Sequence, residues 1–153
     1  MVRNATPEDL DALVELGAVM HAESPRFSRL AFAPHVLRAT LLHVMAEHFL
    51  MVAEEGGKII GGMAAVCAPH WSSLDRVATD LALFIHPDHR GGIAPARLVN
   101  QYRIWARAKG AVLIDIGVNT GVQPQATAQL LARMGMRPCG FILEDVCASA
   151  QPA

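Results

Sequence analysis

Short, unbroken apolar runs alternate along this chain with longer stretches whose apolar residues recur at helical spacing. The clearest case lies in the middle. Leu81-Ala82-Leu83-Phe84-Ile85 is a buried-strand pattern bounded by Pro87. From Ala94 to Lys109, Leu98, Tyr102 and Trp105 share one helix face while Arg97, Gln101 and Arg107 fall elsewhere, and Gly110 stops the helix. A second apolar run, Val112 to Val118, follows. A strand–helix–strand unit of this kind is a crossover, which requires parallel strands and a right-handed connection.

The flanking pattern supplies the other elements. Val2-Arg3-Asn4 reads as a short edge strand. Thr6, Pro7, Glu8 and Asp9 supply the N-cap, N1 proline and acidic first turn of a helix that carries Leu10, Leu13, Val14 and Gly17 to about Ala22. Pro34 opens a second helix with Val36, Leu37, Thr40, Leu41 and Met45. Phe49 to Ala53 and Ile59 to Cys67 form a hairpin across Glu54-Glu55-Gly56-Gly57-Lys58. The central strand starts near Arg76, a short helix covers Ala126 to Met134 with Gly135 as its cap, and Phe141-Ile142-Leu143 centres a last strand. The predicted order is β-α-α-β-β-β-α-β-α-β, an α/β (α+β) mixed sheet in a single domain over 1–147. Residues 148–153 read as a frayed tail.

Composition narrows the function classes. A chain of 153 residues suits one domain. A net charge of −1 makes no electrostatic case for nucleic acid, and no run is long enough for a membrane span. Three cysteines far apart, with no signal-peptide pattern at Met1-Val2-Arg3-Asn4, point to a reducing, cytoplasmic setting. His86 and His89 lack a third ligand nearby, so no metal site is expected.

The chemistry is expected between the central strand and its helix. In His89-Arg90-Gly91-Gly92-Ile93-Ala94 two glycines let a backbone pass close to a bulky group, and the helix that follows directs free N–H groups and its dipole at an anion. No Walker or dinucleotide fingerprint is present. The spacing His89-x-x-Gly92-x-Ala94 resembles the acyl-CoA signature Gln/Arg-x-x-Gly-x-Gly/Ala of the GNAT-type N-acetyltransferase superfamily; alternatively Arg90 is the signature's arginine and the loop is one residue short. The order of elements and Met134-Gly135-Met136, similar to the family's Leu-Gly-Phe, extend the resemblance over nearly the whole chain. His21-Ala22-Glu23-Ser24-Pro25-Arg26 together with Arg90-Gly91-Gly92 further resembles acetyltransferase-like proteins of phages and prophages.

The resemblance implies acetyl-CoA as co-substrate and an amine acceptor, either a small molecule or a protein. It implies that the backbone of Leu83, Phe84 and Ile85 holds the pantetheine arm. The N–H groups from Arg90 to Pro95 would surround the diphosphate, with Arg90 and Arg97 adding charge and Gln123 or Asn119 a further amide. The acceptor would be walled by His21, Glu23, Arg26, Phe27, His70 and Trp71.

Asp80 stands close to the position of the family's catalytic glutamate and is the first candidate base, because a carboxylate in an apolar strand is costly without a role. Asp115, within the next apolar run, is the second by the same argument. Where relatives carry a tyrosine acid, four residues before the closing glycine, this chain has Leu131, which has no proton to give. Three readings are therefore in competition: an acetyl-CoA-dependent N-acetyltransferase, a non-catalytic acyl-CoA-binding or interaction module, and a structural domain that binds no CoA, favoured if His89 or the shortened loop spoils the cradle. The short chain beyond Val146 and the 52% hydrophobic content suggest a homodimer.

Overall fold

The computed structural model describes residues 1–147. Strand β1 (Val2–Asn4) leads through a 3-10 turn (Pro7–Asp9) into α1 (Leu10–Glu23). A second 3-10 turn (Phe27–Arg29) precedes α2 (Pro34–Glu47). Then come β2 (Phe49–Glu55), β3 (Lys58–Pro69), β4 (Arg76–Ile85), a 3-10 turn (Pro87–His89), α3 (Ala94–Ala108), β5 (Ala111–Asp115) and α4 (Pro124–Arg133).

The five strands form one mixed sheet in chain order, antiparallel from β1 to β4 and parallel between β4 and β5. Period-two alternation assigns its two faces. Phe49, Met51 and Ala53 of β2 pack with Leu98, Val99, Tyr102 and Ala106 of α3 and Leu131 of α4. Leu50 and Val52 pack with Leu10, Leu13 and Leu16 of α1 and Leu41 and Val44 of α2. The sheet is thus a wall between an α1/α2 layer and an α3/α4 layer.

Two features of β4 position the site. The β3–β4 register pairs Ala64 with Ala82 but Ala65 with Asp80, so Leu81 is an extra residue. This bulge reverses the faces: Ala78 lies in the α3-side core, whereas Phe84 packs with the α1/α2 cluster. The β4–β5 pairing ends at Thr79 and Asp115. Beyond it β4 runs on for six residues, Asp80–Ile85, held by β3 alone.

Two expectations are corrected. Strand β5 stops at Asp115 and does not reach Val118, and Asp115 is an exposed terminal residue, so the argument from a carboxylate enclosed in an apolar run does not apply to it. The last strand is absent: residues 137–147 carry no secondary structure, and Phe141 and Leu143 are 97% and 94% exposed. The segment expected to fray, 148–153, lies outside the described residues. No helix of the described chain is long and apolar enough to cross a membrane.

Candidate active site

The free edge of β4 is a hydrogen-bonding surface. His86 donates its N–H to the Ile60 carbonyl of β3 at 2.8 Å, which makes residues 86 and 84 the ones whose backbone faces β3. Leu83 and Ile85 therefore present their backbone groups to the gap where β5 has turned away. Phe84, expected to share that role, has its backbone turned to Gly62 of β3. The carbonyl of Ile85 accepts a bond from Arg90 Nε at 3.0 Å.

At the end of this edge the chain turns into α3. Gly91 has φ of +91°, a conformation that favours glycine, and a Cβ built on Gly92 would meet no heavy atom within 4 Å. The N–H groups of Gly91, Gly92, Ile93, Ala94 and Ala96 have no acceptor among the described residues, as expected around the first turn of a helix, while Pro95 has none to offer. Open space in front of unpaired donors and a positive helix end fits a diphosphate.

The charged residues expected in this cradle are engaged elsewhere. Both terminal nitrogens of Arg90 meet the Glu23 carboxylate at 2.5 Å, with the guanidinium 5.4 Å from the Phe84 ring centroid. The bond with Arg90 holds the Glu23 carboxyl below its ordinary range, and Glu23 raises Arg90 in turn. In this structure Arg90 and Glu23 are therefore paired with each other. His89 Nδ1 lies 2.8 Å from Glu55 Oε2 on the β2–β3 hairpin, away from the glycine turn. Arg97 is exposed, beside Met1, Val2, Asn100 and Gln101 at the β1 end of the sheet.

At the fork between β4 and β5 stands Asp80, half-buried, with Oδ1 accepting the Gly117 N–H at 2.7 Å. Burial pushes its carboxyl above the ordinary range and the Asp115 charge adds to this, while the Gly117 hydrogen bond opposes it. Tyr102 is fully buried; its hydroxyl donates to the Asp115 carbonyl at 3.0 Å, and burial raises its pKa. Leu131 is buried in the α3-side core. Neither residue is a proton donor to a leaving thiolate. The amide candidates lie on the loop after β5: the Asn119 carbonyl accepts from Arg26 at 3.4 Å, and Gln123, with φ of +44°, precedes α4.

A model of the acetyltransferase (GNAT) family matches residues 16–136. The chain belongs to the GNAT acetyltransferase family. It is accordingly an acetyltransferase domain. Acetyl-CoA is the co-substrate generally used in this family.

Solved structures share the fold. A GCN5-related N-acetyltransferase from Ralstonia eutropha JMP134 is 24% identical with a TM-score of 0.73, over 95% of this chain and 97% of that one. A transcriptional regulator from Bacillus halodurans C-125 is 21% identical with a TM-score of 0.75, over 96% and 99%. An aminoglycoside acetyltransferase from an uncultured soil metagenomic sample is 17% identical with a TM-score of 0.70, over 97% and 98%. No curated protein matches the chain.

The residues expected to wall the acceptor site of this GNAT domain divide into three groups. His21 and Phe27 line an apolar chamber between α1, α2 and the sheet. Glu23 and Arg26 are in ion pairs, Arg26 with Glu144 at 2.6 Å. His70 and Trp71 stack on each other on an exposed turn, with Trp71 91% exposed, and are not part of the chamber.

Two features escaped sequence reasoning. One is the chamber itself; its signal was Gly17, where a Cβ would fall 2.3 Å from Leu37 and which lets α1 and α2 close at that point. The other is Ser24, fully buried, which donates to the Thr120 carbonyl at 2.5 Å and accepts the Phe27 N–H at 2.9 Å. A serine before proline after a helix was its only local mark.

Proposed function

We propose that this chain is an acetyl-CoA-dependent N-acetyltransferase acting on a primary amine. The observation that carries the reading is the free edge of β4 from Asp80 to Ile85, which leads through the 3-10 turn Pro87–His89 to the open glycine turn. Leu83 and Ile85 hold the amides of the pantetheine arm by backbone hydrogen bonds, and the N–H groups from Gly91 to Ala96 hold the diphosphate. Asp80, raised by burial toward neutrality, takes the proton of the incoming ammonium directly or through water, as a base with a pKa nearer the working pH does best. The amine nitrogen bonds to the acetyl carbon, the carbon–sulfur bond breaks, and the thiolate takes its proton from water. The second reading is a non-catalytic acyl-CoA-binding module, favoured by Leu131 and by the committed Tyr102 hydroxyl.

The test is calorimetric titration with acetyl-CoA, followed by release of free CoA thiol over a panel of amines. Binding with amine-dependent release supports the enzyme. Binding without release on any amine supports the module, and absence of binding removes both. Three free cysteines suit a reducing cytoplasm. The phage-like kinship rests on the sequence of its two motifs, His21 to Arg26 and Arg90-Gly91-Gly92.

A further inference from the structure

The chamber on the α1/α2 face encloses about 400 Å³, within the range of small-molecule sites. Leu16, Met20, Phe27, Phe32 and Leu37 are among its walls, and Ala82 and Phe84 of β4 are part of its floor. Among its lining residues His21 is the one with a polar side chain, and its ring packs on Phe32 at 5.2 Å. No carboxylate lines it, and Glu23, two residues beyond His21, is spent on Arg90. A polycation placed here would lose its water without gaining a counter-charge. An apolar group would exchange water for well-matched walls.

The free stretch of β4 forms one side of the chamber floor, beside Leu50 of β2 and Gly62, Met63 and Ala64 of β3. The bulged Leu81 separates Ala82 from Asp80 and puts them on opposite faces of β4, so the way from the chamber to Asp80 runs round the free edge of the strand. The glycine turn leads into α3, on the opposite face of the sheet. A ligand in the chamber thus approaches β4 from the face away from the helix that holds the diphosphate. That is the approach of the second substrate and not of the carrier.

We propose that this chamber selects the acceptor, and that the acceptor is a primary amine with one compact apolar body, of the size of an arylalkyl or medium alkyl group. The inference rests on the acetyltransferase reading above. The apolar body lies against Met20, Phe27 and Phe84, and the amine is directed to the open edge of β4 beside Asp80. Likeness in fold to an aminoglycoside acetyltransferase does not extend to the acceptor, because the acidic side chains that a polycation needs are missing from this chamber.

The experiment measures kcat/KM with acetyl-CoA for ethylamine, butylamine, hexylamine and 2-phenylethylamine, beside kanamycin and spermidine. In parallel, 2-phenylethylamine binding is measured by calorimetry without acetyl-CoA. Each methylene from ethyl to hexyl should raise kcat/KM about fourfold, and the polycations should fall at least roughly a hundredfold below hexylamine. Ala31→Trp, from an exposed loop position on the rim, should flatten the chain-length dependence and abolish 2-phenylethylamine binding. Acetyl-CoA affinity is measured beside it to show that the fold survives. Met20→Ala should move the optimum to a longer chain, and it serves as the test if Ala31→Trp fails to fold.

Polycations turned over as well as hexylamine would overturn the proposal while leaving the acetyltransferase reading intact. So would a preference for hexanoyl-CoA over acetyl-CoA that Ala31→Trp removes, since the chamber would then hold the acyl chain. If 2-phenylethylamine binds the parent and not Ala31→Trp, yet no amine releases CoA, the chamber assignment stands and the acetyl transfer fails.

Discussion

At the scale of single residues, Asp80 carries opposed consequences. Its folded pKa lies above the ordinary 3.8, so the folded protein disfavours the ionised form. The native state binds the proton more tightly than the unfolded chain, so stability falls as pH rises from 3.8 through the folded pKa and stays lowered above it. Asp80→Asn keeps an oxygen for the Gly117 N–H and removes that cost. Its Tm should exceed the parent's at pH 7, with the gain shrinking toward pH 4. Its turnover should drop by about a hundred- to ten-thousand-fold, and the rise of rate with pH that belongs to the base should vanish. Thermal melts at the two pH values and a pH–rate profile check both; full activity in Asp80→Asn would remove it from the mechanism. The adjacent glycines give a second contrast. Gly92→Val should keep the parent Tm, since its Cβ has open space, yet weaken acetyl-CoA at least about tenfold by filling the diphosphate site. Gly91→Val, at φ of +91°, should instead cost roughly 1–2 kcal/mol of stability. Equal acetyl-CoA affinity in a folded Gly92→Val protein would count against the cradle.

Between elements, the clasp of Arg90 on Glu23 joins the glycine turn to the end of α1. Both side chains are mostly buried and the geometry is bidentate, so the pair is worth about 1 kcal/mol, above the usual surface ion pair. Glu23→Ala, Arg90→Ala and the double variant should each lose a similar Tm, on the order of 2–4 °C. Losses that simply add in the double variant would show that the two do not act as a pair. Acid weakens the same clasp. The Glu23 carboxyl is held below 4.5, so the contribution of the pair is complete above that value and is lost as pH falls through the lower, folded one.

Over the whole molecule, apolar surface gathers where the sheet ends. Among the described residues strand β5 pairs with β4 alone, Val112 and Leu113 are 61% and 60% exposed, and Phe141, Ile142 and Leu143 are 97%, 63% and 94% exposed. We propose a homodimer that covers this surface. Sedimentation at micromolar concentration should give a dimer in the parent and a monomer in Phe141→Ser/Leu143→Ser; a monomeric parent refutes it.

Local chemistry was enough to read the elements through α4 and the family. Prolines at helix starts, the Gly-Gly turn and apolar periodicity act within a few residues, and the strand–turn–helix–strand unit that starts at Arg76 followed from them, though its last strand was expected to reach Val118 and ends at Asp115. Asp80 too was legible, as a carboxylate in an apolar strand. The rest depended on contacts between distant parts of the chain. Arg90 meets Glu23 across 67 positions, so no local pattern could show that each is already partnered. One extra residue, Leu81, turns Ala82 and Phe84 to the chamber while Asp80 keeps the face of Ala78. Where β5 leaves β4 decided that Asp115 is exposed and that Leu83 and Ile85 face a gap instead of a neighbouring strand. An apolar run such as Phe141–Leu143 has the composition of a strand, but a strand exists only where a partner edge accepts its hydrogen bonds, and among the described residues it pairs with none.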